Sequence, residues 1–318
     1  MTNFSPILIP TLNRFNHFRN CVESLAICTH AKQTDLFIAL DYPSKESQIE
    51  GYEKIKKYIP TIEGFKKIHI IKREKNWGVP ENAYDAIDTI FQQYDRIIIS
   101  EDDNVFSPNF LDYINKGLTL FESNPKVSSI CGYKFPFEGP ESFQHSYMYS
   151  KSFSGWGYGF WRKKYTDKIW LENKDKSLSD VRKYIKNPIN AYKIKDIPYA
   201  LLEGLMHIVK TKTFTADRMH CFYNIHNKTY SVFPMISLVR NTGHDGTGIH
   251  CGRIPIIRNP FINQKIDTSE KFEFIEHFDF DNKFINNLVK NHAISFANLK
   301  LHHKIIRIKN YLFFWILK

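Results

Sequence analysis

The sequence predicts an α/β fold built on a doubly wound, mostly parallel sheet, and three observations predict it. Four short apolar runs, Pro6–Ile9, Leu36–Leu40, Ile68–Ile71 and Arg96–Ser100, are each long enough for a buried parallel strand and too short for a helix. Helical spacing separates and follows them: Phe18, Cys21, Val22 and Leu25 share one face, as do Ala83, Ile87, Ile90 and Phe91, and then Leu111, Ile114, Leu118 and Phe121. The residues just after each run turn polar, with Pro10-Thr11-Leu12-Asn13-Arg14 after the first, Asp41 after the second, Lys72-Arg73 after the third and Ser100-Glu101-Asp102-Asp103 after the fourth. Ligands of open α/β sheets bind outside the carboxyl ends of the strands. One mouth is therefore expected to hold both cations and carboxylates.

Composition bounds the rest. A chain of 318 residues with 42% hydrophobic and 15% aromatic residues supports a sizeable core, and it reads as one globular catalytic unit with an appended tail. The five cysteines, Cys21, Cys28, Cys131, Cys221 and Cys251, form no CxxC pair and fit neither a disulfide framework nor a zinc module, which favours a reducing cytoplasm. The first residues lead straight into a strand pattern without the features of a signal peptide, and no apolar run reaches the length of a membrane span. A formal charge of +11 asks for an anionic partner without choosing among phosphate, acidic membrane and nucleic acid.

Beyond Val127–Tyr133 the alternation fades. Phe153-Ser154-Gly155-Trp156-Gly157-Tyr158-Gly159-Phe160-Trp161 reads as a closely packed loop leading into a helix, in a half of the chain expected to receive the acceptor. The flat faces of Trp156 and Trp161 suit the apolar side of a sugar ring, although tryptophans serve as core just as well. An extended run, Val232–Val239, precedes the glycine-rich segment Asn241–His250, in which His244, Asp245 and His250 suit either a lid over a bound diphosphate or an ordinary surface turn.

Glu101, Asp102 and Asp103 stand together at the end of a strand expected inside the sheet. Like charges crowded there are costly without a cation. Carboxylate oxygens suit Mg²⁺ or Mn²⁺, which commonly bridges protein and substrate phosphates. The alternative is an acidic helix N-terminus, since Ser107-Pro108 opens a helical stretch. A nucleophile elbow, a P-loop lysine, a dinucleotide glycine fingerprint and a Cys/His zinc pattern are all missing.

The stretch Ser100-Glu101-Asp102-Asp103-Asn104-Val105-Phe106-Ser107-Pro108-Asn109-Phe110-Leu111-Asp112-Tyr113 resembles the metal-binding block of N-acetylglucosaminyltransferase I and of family-2-like bacterial glycosyltransferases. The similarity extends more loosely to about His250. It implies a GT-A-like, Rossmann-like fold for nucleotide-diphospho-sugar transfer. Residues 1–255 would form the catalytic domain, with 1–135 binding the donor and 136–255 the acceptor, followed by a helical tail over 256–318.

The resemblance makes Asp103 the direct ligand of Mn²⁺ or Mg²⁺, turns Glu101 and Asp102 toward the donor sugar and ribose, and gives Asp41 the nucleotide base. Pro10, Thr11 and Arg14 would line the nucleotide pocket, the stretch from Arg73 to Pro80 with Asn76 would wrap around it, Trp156 would touch the sugar and His250 the phosphates or metal. Asp217, upstream of the segment from Pro234 to Gly243, stands at about the interval where related inverting enzymes place their base, although the tryptophan that often precedes it is Ala216 here. Glu203 and Asp245 are its substitutes. The implied activity is inverting transfer from a nucleotide-sugar, with uridine diphosphate as carrier, to a hydroxyl of a glycan or lipid-linked glycan in bacterial surface polysaccharide biosynthesis. Two rivals are a sugar-phosphate nucleotidyltransferase, which would want a glycine-rich phosphate loop near the first strand, and a basic nucleic-acid-binding protein, against which the carboxylate cluster counts; no nucleic acid is expected as a partner.

In the tail, Leu301, Ile305, Ile308, Leu312 and Trp315 fall on one helical face, with Lys304, Arg307 and Lys309 beside them. Such a helix suits an anionic membrane surface, which would place the enzyme peripherally on the inner face of the membrane. Docking on the catalytic domain or a partner subunit is the alternative.

Overall fold

A computed structural model describes residues 4–135, 146–165, 172–194, 201–248, 263–275 and 277–278. The first expected run becomes β1 (Ile7–Thr11), with Ile7, Leu8 and Ile9 wholly buried. Helix α1 (Phe15–Ala26) buries Phe18, Cys21, Val22 and Leu25, the face that the spacing predicts. Next come β2 (Asp35–Leu40), buried throughout, α2 (Ile49–Tyr58) and β3 (Lys67–Lys72). Strand β3 departs from the expected burial: it lies at the edge of the sheet, so Lys67, Ile70 and Lys72 face solvent. Charged residues on an edge strand hinder pairing with another chain.

Helix α3 (Val79–Ile90) starts after Gly78, whose φ of +80° lies in the left-handed region that glycine tolerates best, and carries Pro80 in the turn that needs no amide donor. Its buried face includes Asn82 as well as Ala86, Ile87 and Ile90, because the Asn82 amide donates to the carbonyl of Ala39 at 2.9 Å. Strand β4 (Arg96–Ile99) leads through the acidic triplet into β5 (Asn104–Phe106) and α4 (Phe110–Leu120).

The later chain supplies β6 (Val127–Cys131), β7 (Tyr147–Ser150), β8 (Tyr158–Trp161), β9 (Tyr230–Pro234), β10 (Val239–Asn241) and β11 (His277–Phe278). Two expectations change here. Tyr158–Trp161 is a strand and no helix, with Trp161 buried and its indole N–H donating to the carbonyl of Leu118 at 3.0 Å. The run Val232–Val239 is broken by a bend, so its first part joins the main sheet while Val239–Asn241 pairs with β5.

The described strands form a sheet of order β11-β7-β9-β6-β8-β4-β1-β2-β3 and a small antiparallel pair, β10-β5. Strands β4, β1, β2 and β3 run parallel, and β8 runs antiparallel between β4 and β6. This is a GT-A-like, Rossmann-like α/β fold. Its topological switch point lies between β1 and β4, where the chain crosses to opposite sides of the sheet. Those strands pair only over Ile7 and Leu8 against Ile98 and Ile99. The carbonyl of Leu8 accepts from Ser100, so two residues on Pro10, which has no N–H, faces the same side just past the last pair. The crevice opens there.

Residues 263–275 lie along α4. Phe272 and Phe274 pack on Tyr113 with ring centroids 4.5 and 5.3 Å apart, Asn109 donates to Asp267 at 2.9 Å, and β11 adds a parallel strand beside β7. The amphipathic helix expected over Leu301–Leu317 lies outside the described residues.

Candidate active site

The crevice between β1 and β4 gathers residues from three distant parts of the chain. The hydroxyl of Thr11, at the end of β1, donates to Asp102 Oδ2 at 2.9 Å. Arg14 follows three residues later, at the N-terminus of α1, and its Nη1 lies 2.9 Å from Asp103 Oδ2 and 3.4 Å from Asp102 Oδ1. The guanidinium therefore sits between the two carboxylates. Its Nε and Nη2 are buried and have no hydrogen-bond partner among the described residues.

Asp103 is held from the other side by the segment after β10. The amide of Asn241 donates to Asp103 Oδ1 at 2.7 Å and to Asn104 Oδ1 at 3.1 Å, while the backbone N–H and the hydroxyl of Thr242 both donate to the Asp103 carbonyl at 2.9 Å. Gly243 then passes so close that a Cβ there would lie 1.9 Å from Asp103 Oδ2 and 2.9 Å from Arg14 Nη2. The same segment is tied to α1 by His17, whose ring nitrogens lie 3.1 Å from the Thr242 hydroxyl and 2.9 Å from Asp245 Oδ2. His250 lies outside the described residues.

The opposite wall is the glycine-tryptophan loop. A Cβ on Gly155 would lie 2.8 Å from Asp217 Oδ1 and 3.9 Å from Glu101 Oε1, so these carboxylates face each other across a residue with no side chain. Asp217 stands in the first turn of the helix Ala216–His226. Trp156 makes edge contacts with Tyr133 at 4.6 Å and with His244 at 5.7 Å, which joins this loop to the segment after β10. Trp161 is core.

Asp41, Arg73 and Asn76 form a separate group at the ends of β2 and β3. The Asp41 carboxylate accepts from the backbone N–H groups of Tyr42, Trp77 and Gly78 at 2.8–2.9 Å and from the amide of Asn76 at 3.3 Å. Arg73 donates to Asn82 Oδ1 at 2.8 Å, pairs with Asp85 at 2.6 Å and stacks over Trp77 at 4.2 Å. All three side chains thus shape the loop from Arg73 to Pro80 from within.

Electrostatics mark the crevice. Removal from bulk water is the main cause that pushes the Asp102 carboxyl up to about 6, and Asp103 adds to it against the opposing pull of Arg14. Glu101 keeps an exposed surface, yet protein mass surrounds it closely; that desolvation, followed by Asp103, Asp217 and Asp102, holds it well above the usual carboxylate range. Asp102 and Asp103 raise the Arg14 pKa enough to outweigh its desolvation.

Among the described residues no group of three or more His, Cys, Asp or Glu side chains could hold a metal ion. Two carboxylates at one cation position nevertheless fit Mg²⁺ or Mn²⁺, which uses one or two protein carboxylates together with substrate phosphates and water. Arg14 Nη1 already stands as a cation at that position.

Sequence reasoning had placed Thr11, Arg14 and the acidic triplet at this mouth. It missed His17 and Gly155 and singled out no role for Asn241, although Asn241-Thr242-Gly243 lay in a segment already marked.

No protein-family model and no curated protein matches the chain. Among solved structures it is similar to a mannosyltransferase from Pyrobaculum calidifontis in complex with GDP-Man and Mn²⁺, with a TM-score of 0.34 and 12% identity over 50% of this chain and 45% of that one. It is also similar to S. aureus TarS 1–349, with a TM-score of 0.33 and 15% identity over 53% of this chain and 48% of that one, and to S. aureus TarS, at 0.29 and 15% over 44% and 24%. The matched part thus spans less than half the length of each of these proteins. Overlaps at these scores carry no inference about chemistry, which rests on the residues above.

Gly243→Ala would drive a methyl group into Asp103 and Arg14 at once. Overpacking typically costs about 1–3 kcal/mol, so a melting temperature lowered by several degrees is expected, together with loss of whatever ligand the carboxylates bind. Unchanged melting and binding would mean that this segment does not lie against Asp103.

Proposed function

We propose that this chain is an inverting glycosyltransferase that moves a sugar from a nucleotide-sugar donor, with uridine diphosphate as the expected carrier, onto a hydroxyl of a glycan or lipid-linked glycan. The observation that carries this reading is the convergence of Thr11, Arg14, Asp102 and Asp103 on one cation position at the switch point of the sheet. When bound there, a Mn²⁺ or Mg²⁺ ion held by Asp103 would supply charge stabilisation for a departing diphosphate.

Thr11 and Arg14 line the nucleotide side, and Asp41, through Asn76 and the backbone of Trp77 and Gly78, keeps the adjoining loop in shape for the base. Trp156 offers its ring at the sugar side. Asp217 takes the proton of the acceptor hydroxyl as its oxygen attacks the anomeric carbon, the bond from that carbon to the diphosphate oxygen breaks, and the nucleoside diphosphate leaves with the electron pair. Inversion follows from a single displacement. The segment Asn241–Gly248, tied to α1 through His17, acts as the cover that excludes water.

Donor hydrolysis over a panel of nucleotide-sugars with Mn²⁺ tests class and donor together. Release of nucleoside diphosphate is expected; release of pyrophosphate from a nucleoside triphosphate and a sugar phosphate would favour a nucleotidyltransferase instead. Asp103→Asn is expected to abolish metal-dependent nucleotide affinity in calorimetry while the fold survives.

Asp217→Asn should lower acceptor turnover by about 10²–10⁴, the usual loss on removing a general base, with nucleotide and metal affinity nearly unchanged. A variant that transfers at the wild-type rate, or that loses donor binding, would move the base elsewhere. Deleting Leu301–Lys318 is expected to release the protein from anionic vesicles in flotation while donor hydrolysis persists, since apolar burial and basic residues together supply interfacial affinity. Persistent flotation of the truncated chain would favour docking of the tail on protein.

A further inference from the structure

Arg14 occupies the place that the divalent ion would need. Its Nη1 contacts Asp103 Oδ2 at 2.9 Å and Asp102 Oδ1 at 3.4 Å, so an oxygen of Asp103, the residue that would ligate the ion, is engaged by a guanidinium. A dication at the same oxygens would be in contact with the guanidinium, and repulsion between neighbouring like charges in a confined space is on the order of several kcal/mol. The ion and Arg14 Nη1 therefore exclude each other.

Two further observations show what would draw Arg14 away. Its Nε and Nη2 are buried with no acceptor among the described residues, an arrangement costly enough to point to an acceptor brought by a ligand. Arg14 is also the residue that precedes the first turn of α1, which has no acidic residue and no side-chain cap, so the positive end of that helix adds to the positive charge at this end of the chain segment. An anion fits there. The diphosphate of a nucleotide supplies one, and arginine engages phosphate oxygens through paired N–H donors.

We propose that Arg14 is the resting counter-ion of Asp102 and Asp103, and that it yields this place to the divalent ion only as it turns to the incoming diphosphate, so that metal and nucleotide bind as one coupled event. This rests on the metal-dependent reading above. The exchange improves the charge match: at rest one arginine offsets half the charge of the two carboxylates, whereas afterwards the dication offsets both and arginine offsets part of the diphosphate charge. Binding energy from each ligand supports the other, and the coupling is reciprocal by linkage.

The test is Mn²⁺ binding to the full chain, followed by loss of the free-ion electron paramagnetic resonance signal, with no nucleotide and then with uridine diphosphate or guanosine diphosphate. The wild type is expected to bind Mn²⁺ weakly alone and at least tenfold more tightly with one of the nucleotides. Arg14→Met is expected to bind Mn²⁺ alone at least tenfold more tightly than the wild type and to lose most of the tightening by nucleotide. Arg14→Gln, nearer to arginine in polarity, is held to the same expectations should Arg14→Met fail to fold. If the variants bind Mn²⁺ alone no better than the wild type, or keep the full effect of nucleotide, the exchange is wrong while the metal reading stands. Absence of Mn²⁺ binding by every form, with or without nucleotide, overturns the metal reading and the proposal with it.

Discussion

The structure around the crevice depends on one constraint: Glu101, Asp102 and Asp103 follow an inner strand, Asp217 approaches them from the helix Ala216–His226, and the like charges of these four carboxylates act on one another. At an effective dielectric constant near 20, two like charges about 4 Å apart repel by about 4 kcal/mol. Such a cluster persists only where positive charge and hydrogen-bond donors are held against it. Arg14, the Thr11 hydroxyl and the Asn241 amide meet that demand for Asp102 and Asp103. Desolvation first, and the neighbouring carboxylates after it, hold the protons of Asp102 and Glu101 more tightly than in an ordinary carboxyl.

Proximity on this scale also limits size. Gly243 and Gly155 border the carboxylates on two sides, and at each a single added carbon would lie within 3 Å of a carboxylate oxygen. The first keeps the segment after β10 pressed onto Asp103. The second keeps a side chain away from Asp217 and Glu101. Both glycines are therefore tied to the site by close approach and not by a turn.

Much of the fold was legible because its signals are local. The four apolar runs became β1 to β4, and the α1 face emerged residue for residue, since burial on both faces makes an inner strand a continuous apolar run and burial of one face gives a helix its period of 3.6. Local signals failed where a neighbour distant in sequence decides. Tyr158–Trp161 reads as a glycine-rich loop, yet β4 and β6 recruit it as a strand between them, and close packing of Gly159 on Ile114 and Leu118 requires the missing side chain. The edge position of β3 and the bend inside Val232–Val239 were hidden for the same reason. Within the site, the acidic triplet stands out by composition, whereas His17 has only its partners Thr242 and Asp245 to mark it, and these lie more than 220 residues away.

The group at Asp41 is held from within the chain. Its carboxylate accepts four hydrogen bonds from its own chain, three of them from backbone N–H groups, and Arg73 braces the same loop through Asn82, Asp85 and Trp77. Donors and acceptors so fully matched hold a loop rigid, because moving any one strands a buried partner. The Arg14 side differs in kind, since two of its buried donors have no acceptor among the described residues. The two ends of the mouth therefore differ in what they can still bind: the acceptors of the Asp41 carboxylate are filled from within the chain, while Arg14, paired through Nη1 with Asp102 and Asp103, keeps two buried donors open at Nε and Nη2.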